Sequence, residues 1–196
     1  MIAVDFLIVD TVWLRQLYVL FFIEVATRRV HVAGCTAHPD KEWVTQRARQ
    51  VSWTLSDRTE PVRLLIRDRD RKFTRRFDEV FQGSGIRIVR TPIQAPQANG
   101  IAERFVRTVR SECLDWLMLN ARHAERVLAV FIDHCNRHRA HRSLKLMPPD
   151  GRSVPEHSLH PQPASVIRRD RLGGVIHEYE RAASANASLC TVQAAD

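Results

Sequence analysis

Apolar residues are distributed along the chain with two different spacings, and each spacing predicts one kind of secondary structure. Dense runs rich in β-branched and aromatic residues predict buried strands. These runs cover 2–9, 16–26, 30–34, 62–66 and 86–89. Apolar residues three or four positions apart predict amphipathic helices. These stripes cover 39–55 and 73–81, and then 101–117 and 127–131 on either side of a break near Asn120.

The order of these elements predicts the fold class. Three strands in quick succession predict an antiparallel meander, whereas later strands separated by helices predict parallel pairing through crossovers. We therefore expect an α/β protein with a mixed five-stranded sheet, three strands antiparallel and the rest parallel, flanked by helices.

The chain also divides by composition. Residues 1–150 carry the predicted sheet and helices, and Pro148-Pro149 closes that domain. We expect a proline-containing linker over 151–164, a small β-hairpin around Gly173-Gly174 over 165–181, and a disordered tail over 182–196.

The charge of the chain predicts a polyanionic partner. The formal net charge is +8 among 196 residues, and only three of the 30 basic residues are lysines. The segment after residue 150 is nearly neutral, so the excess belongs to the larger domain. Arginine binds phosphate through two parallel hydrogen bonds, which favours a polyanionic partner rich in phosphate groups. A GC-rich genome also favours arginine, and that alternative stays open for the bias itself.

The cysteines and the apolar segments indicate the compartment. The four cysteines are widely spaced without a C-x-x-C pair, which disfavours a disulfide framework or a structural zinc site. The N-terminus lacks the basic residues of a signal peptide, and the apolar run 17–26 is shorter than the roughly 20 residues that span a bilayer. We expect a soluble cytoplasmic protein with no membrane partner.

Three acidic residues lie where chemistry is expected. Asp5 interrupts the first strand, Asp68 follows the fourth strand in the run IRDRDRKF, and Glu103 begins the long helix. Singly, each has a structural explanation: a partnered core acid, a loop cap, and an acid favoured by the helix dipole. If the first and fourth strands are neighbours, the three converge and supply the hard oxygen ligands that Mg²⁺ prefers. Two such ions would support in-line displacement at phosphorus.

At these residues the chain resembles the catalytic core of DDE transposases and retroviral-type integrases. The family motif H-S-D-x-G-x-Q-Y is similar to Ile66–Phe73, with Asp68 on the family's second catalytic aspartate and Asp70 on its glycine. A slip of two residues would exchange Asp68 and Asp70. The 34 residues from 69 to 102 separate Asp68 from Glu103, close to the family spacing, and Asp70 fits that spacing less well.

Two further stretches carry the resemblance. The family's N-A-x-A-E-R-F-x-x-T-x-K-x-E is similar to 99–112, and its Y-N-x-x-R-P-H-x-x-L-x-x-x-P-P is similar to 135–149. The resemblance covers about residues 1–150 and implies an RNase H-like polynucleotidyl transferase active in DNA integration and recombination. It implies that Asp5, Asp68 and Glu103 bind two Mg²⁺ (or Mn²⁺) ions, and that the protein acts as a homo-oligomer on element ends and target DNA.

One departure concerns end recognition. Members of the family usually carry an upstream helix-turn-helix domain, whereas this chain begins four residues before Asp5. Either a separate helix-turn-helix polypeptide supplies recognition, or the chain is a truncated copy of a bacterial mobile element. The resulting alternatives are a metal-dependent nuclease of the same fold, or a non-catalytic DNA-binding remnant.

Basic residues near the acids and at the end of the last helix are the predicted DNA contacts. They are Arg67, Arg69, Arg71, Lys72, Arg104, Arg107, Arg110, Arg137, Arg139, His141 and Arg142. The alternative is a solvated helix face with Glu–Arg pairs. A zinc site at Cys135, His138 and His141 is disfavoured because a second ligand pair is missing.

Overall fold

The computed structural model describes residues 1–58, 60–92, 99–114, 118–151 and 165–181. The chain forms two compact units, 1–152 and 153–196, and each is described by itself.

The described part of the first unit follows the predicted order of elements. The strands are β1 (Ile2–Asp10), β2 (Gln16–Glu24), β3 (Val30–Thr36), β4 (Leu64–Arg67) and β5 (Arg87–Arg90). The helices are α1 (Lys41–Ser56), α2 (Arg75–Gly83), α3 (Gly100–Val109) and α4 (Ala121–Arg137). A π-helical turn, Arg110–Leu114, continues α3.

The sheet has the order β3-β2-β1-β4-β5, which confirms the predicted mixed sheet. The pairs β1–β2 and β2–β3 are antiparallel, while β1–β4 and β4–β5 are parallel. The first and fourth strands are therefore neighbours, which was the condition for the acids to meet.

Helices cover the two faces of the sheet differently. On one face Val4 and Phe22 join an apolar cluster with Val44 of α1 and Phe77 of α2. On the other face Phe21 packs against Phe105 of α3, with ring centroids 5.1 Å apart. Because successive residues of a strand point to opposite faces, β1 and β2 are apolar on both sides.

Several predicted boundaries shift. Strand β4 begins at Leu64 rather than Val62, and α2 begins at Arg75, so Phe73 precedes the helix. In α4 the buried stripe is Ala124, Leu128, Phe131 and Cys135, with Val127 and Val130 only half-buried. Residues 93–98 of the predicted loop and Leu117 of the predicted stripe lie outside the described residues.

The described part of the second unit is a hairpin of β6 (Val166–Arg171) and β7 (Ile176–Arg181). Gly173 and Gly174 have φ values of 67° and 94°, which glycine adopts without a steric penalty. Residues 152–164 and 182–196, expected to be a linker and a tail, lie outside the described residues. None of the helices described here has the length and apolarity to cross a membrane.

Candidate active site

Strand pairing brings Asp5 and Asp68 side by side. In the parallel β1–β4 pair Val4 lies opposite Arg67; Asp5 is the next residue of β1, and Asp68 directly follows the end of β4. Asp5 lies opposite Phe21 in the β1–β2 pair, so it shares the sheet face covered by α3. Neighbouring strands are about 4.8 Å apart, and the two carboxylates therefore emerge at the same edge of the site.

The Asp5 carboxylate is held by two hydrogen bonds and crowded by acids. The Phe6 backbone N–H donates to Oδ1 at 2.7 Å, and the Asn99 side-chain amide donates to Oδ2 at 3.1 Å. Burial raises the pKa of Asp5 to about 6; the Phe6 hydrogen bond lowers it, and the charges of Asp68, Glu103 and Asp70 raise it further. These acids are therefore close enough to repel one another, and a bound cation would relieve that repulsion.

Asn99 is the first residue of the motif-like stretch 99–112, but it is not among the site residues predicted from the sequence. It is 6 % exposed, and its Oδ1 atom has no hydrogen-bond partner among the described residues. A buried amide oxygen beside crowded carboxylates is a further hard donor, of the kind that suits a divalent cation or its water.

Asp68 and Asp70 have different surroundings. The Asp70 backbone N–H donates to Asp68 Oδ1 at 3.0 Å, and the pKa of Asp68 is raised, chiefly by burial. The Asp70 carboxylate instead accepts from the backbone N–H and the Nζ of Lys72, at 2.9 and 2.6 Å. Asp70 therefore forms a direct ion pair with Lys72, whereas Arg67 and Lys72 lower the pKa of Asp68 only through their charges, and burial still raises it.

Glu103 is an exposed residue in the first turn of α3, and its charge reaches Asp5. Within the described ranges, however, no three His, Cys, Asp or Glu side chains are placed so that they could hold a metal ion. Asp5 and Asp68 supply carboxylate oxygens of the kind that a divalent cation binds, and Glu103 contributes to the negative charge at Asp5. That all three acids share metal ions stays a prediction.

Arg67 corrects one of the predicted DNA contacts. It is 3 % exposed, and its Nε and Nη2 donate to the two carboxylate oxygens of Asp78 on α2, both at 2.7 Å. The pattern failed here because Arg67 shares the face of Val4, which packs on α2, rather than the face of its neighbour Asp68. Its guanidinium is therefore buried in an ion pair and unavailable to DNA.

Lys72 and Arg69 are partly engaged with the protein itself. The Lys72 ammonium lies over the rings of Phe6 and Tyr18, 5.1 and 5.2 Å from their centroids, while it holds Asp70. Arg69 Nε donates to the Thr91 carbonyl at 3.0 Å. Both contacts stabilise the loop after β4, a structural role that the charge pattern alone did not indicate.

The arginines of α3 and of the π-helical turn that follows it are exposed, and DNA contact by them stays a prediction. Arg104, Arg107 and Arg110 are all on the surface, and Arg71 is exposed in the loop after β4. Arg107 and Arg110 follow Glu103 at helical spacing, which places a line of positive charge leading away from the acids.

Two of the basic residues at the end of α4 and after it form ion pairs within the protein. Arg139 donates to both carboxylate oxygens of Glu112, and Arg137 pairs with Asp133 at 3.0 Å on an exposed surface. Burial, with the charges of Arg139 and Arg28, lowers the pKa of His141, which favours its neutral form. Arg142 remains exposed.

The asparagine of the same segment has a structural role that the sequence did not reveal. Asn136 accepts from the Val30 backbone N–H and donates to the Val30 carbonyl, both at 2.9 Å, and so ties α4 to β3. Burial also raises the pKa of the neighbouring Cys135 thiol to about 12, which disfavours the thiolate that zinc requires.

Comparisons with known proteins agree with this geometry. Residues 84–149 match the family model described as integrase core domain. None of the curated proteins compared with the chain matches it.

Solved structures share the fold at low sequence identity. A chain of the simian T-cell lymphotropic virus intasome in complex with PP2A regulatory subunit B56 gamma has a TM-score of 0.60 at 10% identity, covering 91% of this chain. This chain spans only 65% of that simian virus chain. The HTLV-2 integrase catalytic core domain in complex with magnesium has a TM-score of 0.55 at 12% identity, covering 74% of this chain and 93% of its own. The catalytic core domain of BIV integrase has a TM-score of 0.54 at 17% identity, covering 76% and 90%.

The resemblance inferred from the motifs is thereby confirmed: the chain has the RNase H-like fold of retroviral integrase catalytic cores and carries an integrase core domain match over 84–149.

Proposed function

We propose that this chain is the catalytic domain of a DNA transposase or integrase that cuts a strand at an element end and joins the freed 3′-hydroxyl to target DNA. Asp5, Asp68 and Glu103 would hold two Mg²⁺ (or Mn²⁺) ions. The observation that supports the proposal is the parallel β1–β4 pair with Val4 opposite Arg67, together with the raised pKa of Asp5, to which the charges of Asp68 and Glu103 contribute.

The surroundings of the two aspartates support this assignment. An acid without a cation is costly in a half-buried site unless something binds there, and crowded carboxylates with raised pKa values are typical of functional sites. Asp70 is already paired with Lys72, which favours Asp68 over Asp70 as the second ligand. Divalent ions bound at such a site can activate an attacking oxygen and stabilise the leaving oxygen of a phosphodiester.

The residues of the chain would each have a defined task. Asn99 and the Phe6 backbone N–H orient the Asp5 carboxylate, and Lys72 keeps Asp70 from competing with Asp68. The exposed Arg104, Arg107 and Arg110 would bind the phosphates of the DNA strand that enters the site. Arg71 and Arg142 are exposed and remain proposed contacts.

The partners are proposed on the same likeness. The HTLV-2 core domain is described in trimeric and dimeric forms, and the simian virus protein in an intasome. We infer that this chain also assembles as a homo-oligomer on DNA, with recognition of the element ends supplied by a helix-turn-helix segment or polypeptide.

The test is an assay with a labelled oligonucleotide duplex that carries the inverted repeat flanking the gene. With Mg²⁺, the proposal expects shortened strands and, with a target plasmid present, joined products. Cut strands without joining would indicate the nuclease alternative, and a band shift without new strands would overturn the catalytic proposal.

One observation favours a second function, DNA binding without chemistry. Within the described ranges no group of three His, Cys, Asp or Glu side chains is placed to hold a metal ion, and Glu103 is exposed. The same assay decides between the two, since a remnant would bind the duplex equally well with EDTA or Mg²⁺ and leave it intact.

A further inference from the structure

The buried ion pair of Arg67 and Asp78 lies on the sheet face opposite the proposed metal site. It is nevertheless connected to that site by a hydrogen bond. Arg67 uses Nε and Nη2 on Asp78, and its remaining donor, Nη1, reaches the main-chain carbonyl of Asp68 at 2.9 Å. One guanidinium therefore joins helix α2 to the backbone of a proposed metal ligand.

The pair itself is fixed from several directions. Arg67 and Asp78 are 3 and 4 % exposed, and Arg90 of β5 also donates to Asp78, at 2.9 Å. The Arg67 carbonyl accepts from the Thr91 backbone N–H at 2.9 Å, and the Phe73 ring lies 5.9 Å from the guanidinium. A side chain with this many contacts has almost no rotamer freedom. The orientation of the Asp68 main-chain carbonyl that it binds is restricted as well.

The position of the pair suits a role in the site rather than stability alone. Replacing a buried ion pair by apolar side chains is often neutral or favourable for stability. Stability alone therefore does not explain why the chain has this pair. Groups that orient a ligand from behind commonly change metal affinity by about 10- to 100-fold. Arg67 is one covalent step from Asp68, and no other described side chain donates to the Asp68 carbonyl in the structure.

We propose that Arg67 and Asp78 are positioning residues that fix the backbone of Asp68 so that its carboxylate faces Asp5 for metal binding. This inference rests on the proposed function, in which Asp5 and Asp68 share divalent ions. Neither Arg67 nor Asp78 touches the substrate; both act through Asp68.

The experiment uses the full chain and three variants. Arg67→Met combined with Asp78→Leu removes the pair without leaving a lone buried charge. Arg67→Lys keeps a charge for Asp78 but lacks the fork needed to reach the Asp68 carbonyl as well. Arg75→Met combined with Glu79→Leu removes an exposed ion pair of the same helix and is the matched control.

The first measurement is Mn²⁺ binding by calorimetry without DNA, after thermal unfolding has shown that each variant folds. We expect the Kd for Mn²⁺ to rise about tenfold or more in the double variant, to rise less in Arg67→Lys, and to be unchanged in the control. If the double variant fails to fold, Arg67→Lys alone carries the test. Equal Kd values in wild type and both Arg67 variants would overturn the proposal.

The second measurement is the Mg²⁺ concentration that gives half-maximal oligonucleotide cleavage, with DNA affinity measured in parallel. We expect a rise of about tenfold in this concentration with unchanged DNA affinity, whereas a purely structural role would lower the Tm and leave the metal dependence alone. Wild type that binds Mn²⁺ but cuts no DNA would refute the proposed function only. Wild type that binds no Mn²⁺ would refute both.

Discussion

Two pairs of charged residues at the end of β4 lie on opposite faces of the sheet and have opposite electrostatics. On the α2 face Asp78 is buried against Arg67 and Arg90, with every carboxylate oxygen bonded to a guanidinium. On the α3 face Asp5 is half-buried beside Asp68, and burial and like charge raise its pKa to about 6. The short run IRDRDRKF supplies one member of each pair, Arg67 and Asp68.

The contrast shows how a structural acid differs from a candidate functional one. A buried charge is tolerated when an opposite charge with good hydrogen-bond geometry compensates it, as for Asp78. Asp5 accepts hydrogen bonds from two neutral donors, and the pKa of Asp68 stays raised although the charges of Arg67 and Lys72 lower it. These two acids are therefore less fully compensated than Asp78, which is typical of a site where a cation or substrate binds.

The largest effect is expected from the uncompensated side. Asp68→Asn removes a proposed metal ligand, and we expect cleavage and joining to fall by roughly 10³-fold, since metal stabilisation of the transition state amounts to several kcal/mol. DNA affinity should change little. Product formation on a labelled oligonucleotide measures this.

The matched control is Asp70→Asn, two residues away and already paired with Lys72. It should retain most activity. If Asp70→Asn abolishes cleavage while Asp68→Asn does not, the register of the motif is wrong by two residues.

On the compensated side, Asp78→Ala leaves Arg67 buried with its main partner removed. The free energy of unfolding should fall by about 3–5 kcal/mol, the usual cost of breaking one half of a buried ion pair. Denaturant unfolding followed by circular dichroism measures it. Glu79→Ala removes the adjacent acid of an exposed pair and should cost less than about 1 kcal/mol. An equal fall in the free energy of unfolding for both variants would show that burial does not make the Arg67–Asp78 pair more important for stability than an exposed pair.

Asp5 gives a dependence on pH. Its folded-state pKa of about 6 exceeds the ordinary 3.8, so the folded chain binds more protons than the unfolded chain between these values, and stability falls as the pH rises from about 4 to 6. This rise in the pKa of Asp5 corresponds to a loss of about 3 kcal/mol in the free energy of unfolding at high pH. Replacing the carboxylate by an amide recovers that loss but weakens one hydrogen bond, at a cost of about 1 kcal/mol.

Asp5→Asn should therefore be about 1–2 kcal/mol more stable than wild type at pH 8 and no more stable at pH 4. Addition of Mg²⁺ should raise the Tm of wild type but not of the variant. A variant less stable than wild type at pH 8 would show that Asp5 is compensated after all.

The smallest effect concerns the exposed arginines. Arg104→Gln and Arg107→Gln should each weaken DNA binding and reduce the slope of log Kd against log salt by about one, if each neutralises one phosphate. Arg49→Gln, an exposed arginine of α1 on the other side of the sheet, is the control and should leave the slope unchanged. Fluorescence anisotropy at several salt concentrations gives the slopes.

The order of the strands and helices could be predicted from the sequence, and so could the three candidate acids. Hydrophobic spacing is a local property, so the runs at 2–9 and 16–26 predicted β1 and β2 without any knowledge of their neighbours. Boundaries such as the start of α2 shifted by a residue or two because caps such as Thr74 depend on local backbone geometry.

The pairing of charges, by contrast, depends on contacts between residues that are distant along the chain. Arg67 lies 11 residues from Asp78, and Asn99 lies 94 residues from Asp5, so no local pattern links them. The direction of each side chain followed from the pairing of β1 with β4, which turned Arg67 towards α2 and Asp68 towards Asp5. Neighbours in sequence thus met opposite environments, because adjacent residues of a strand face opposite sides of the sheet.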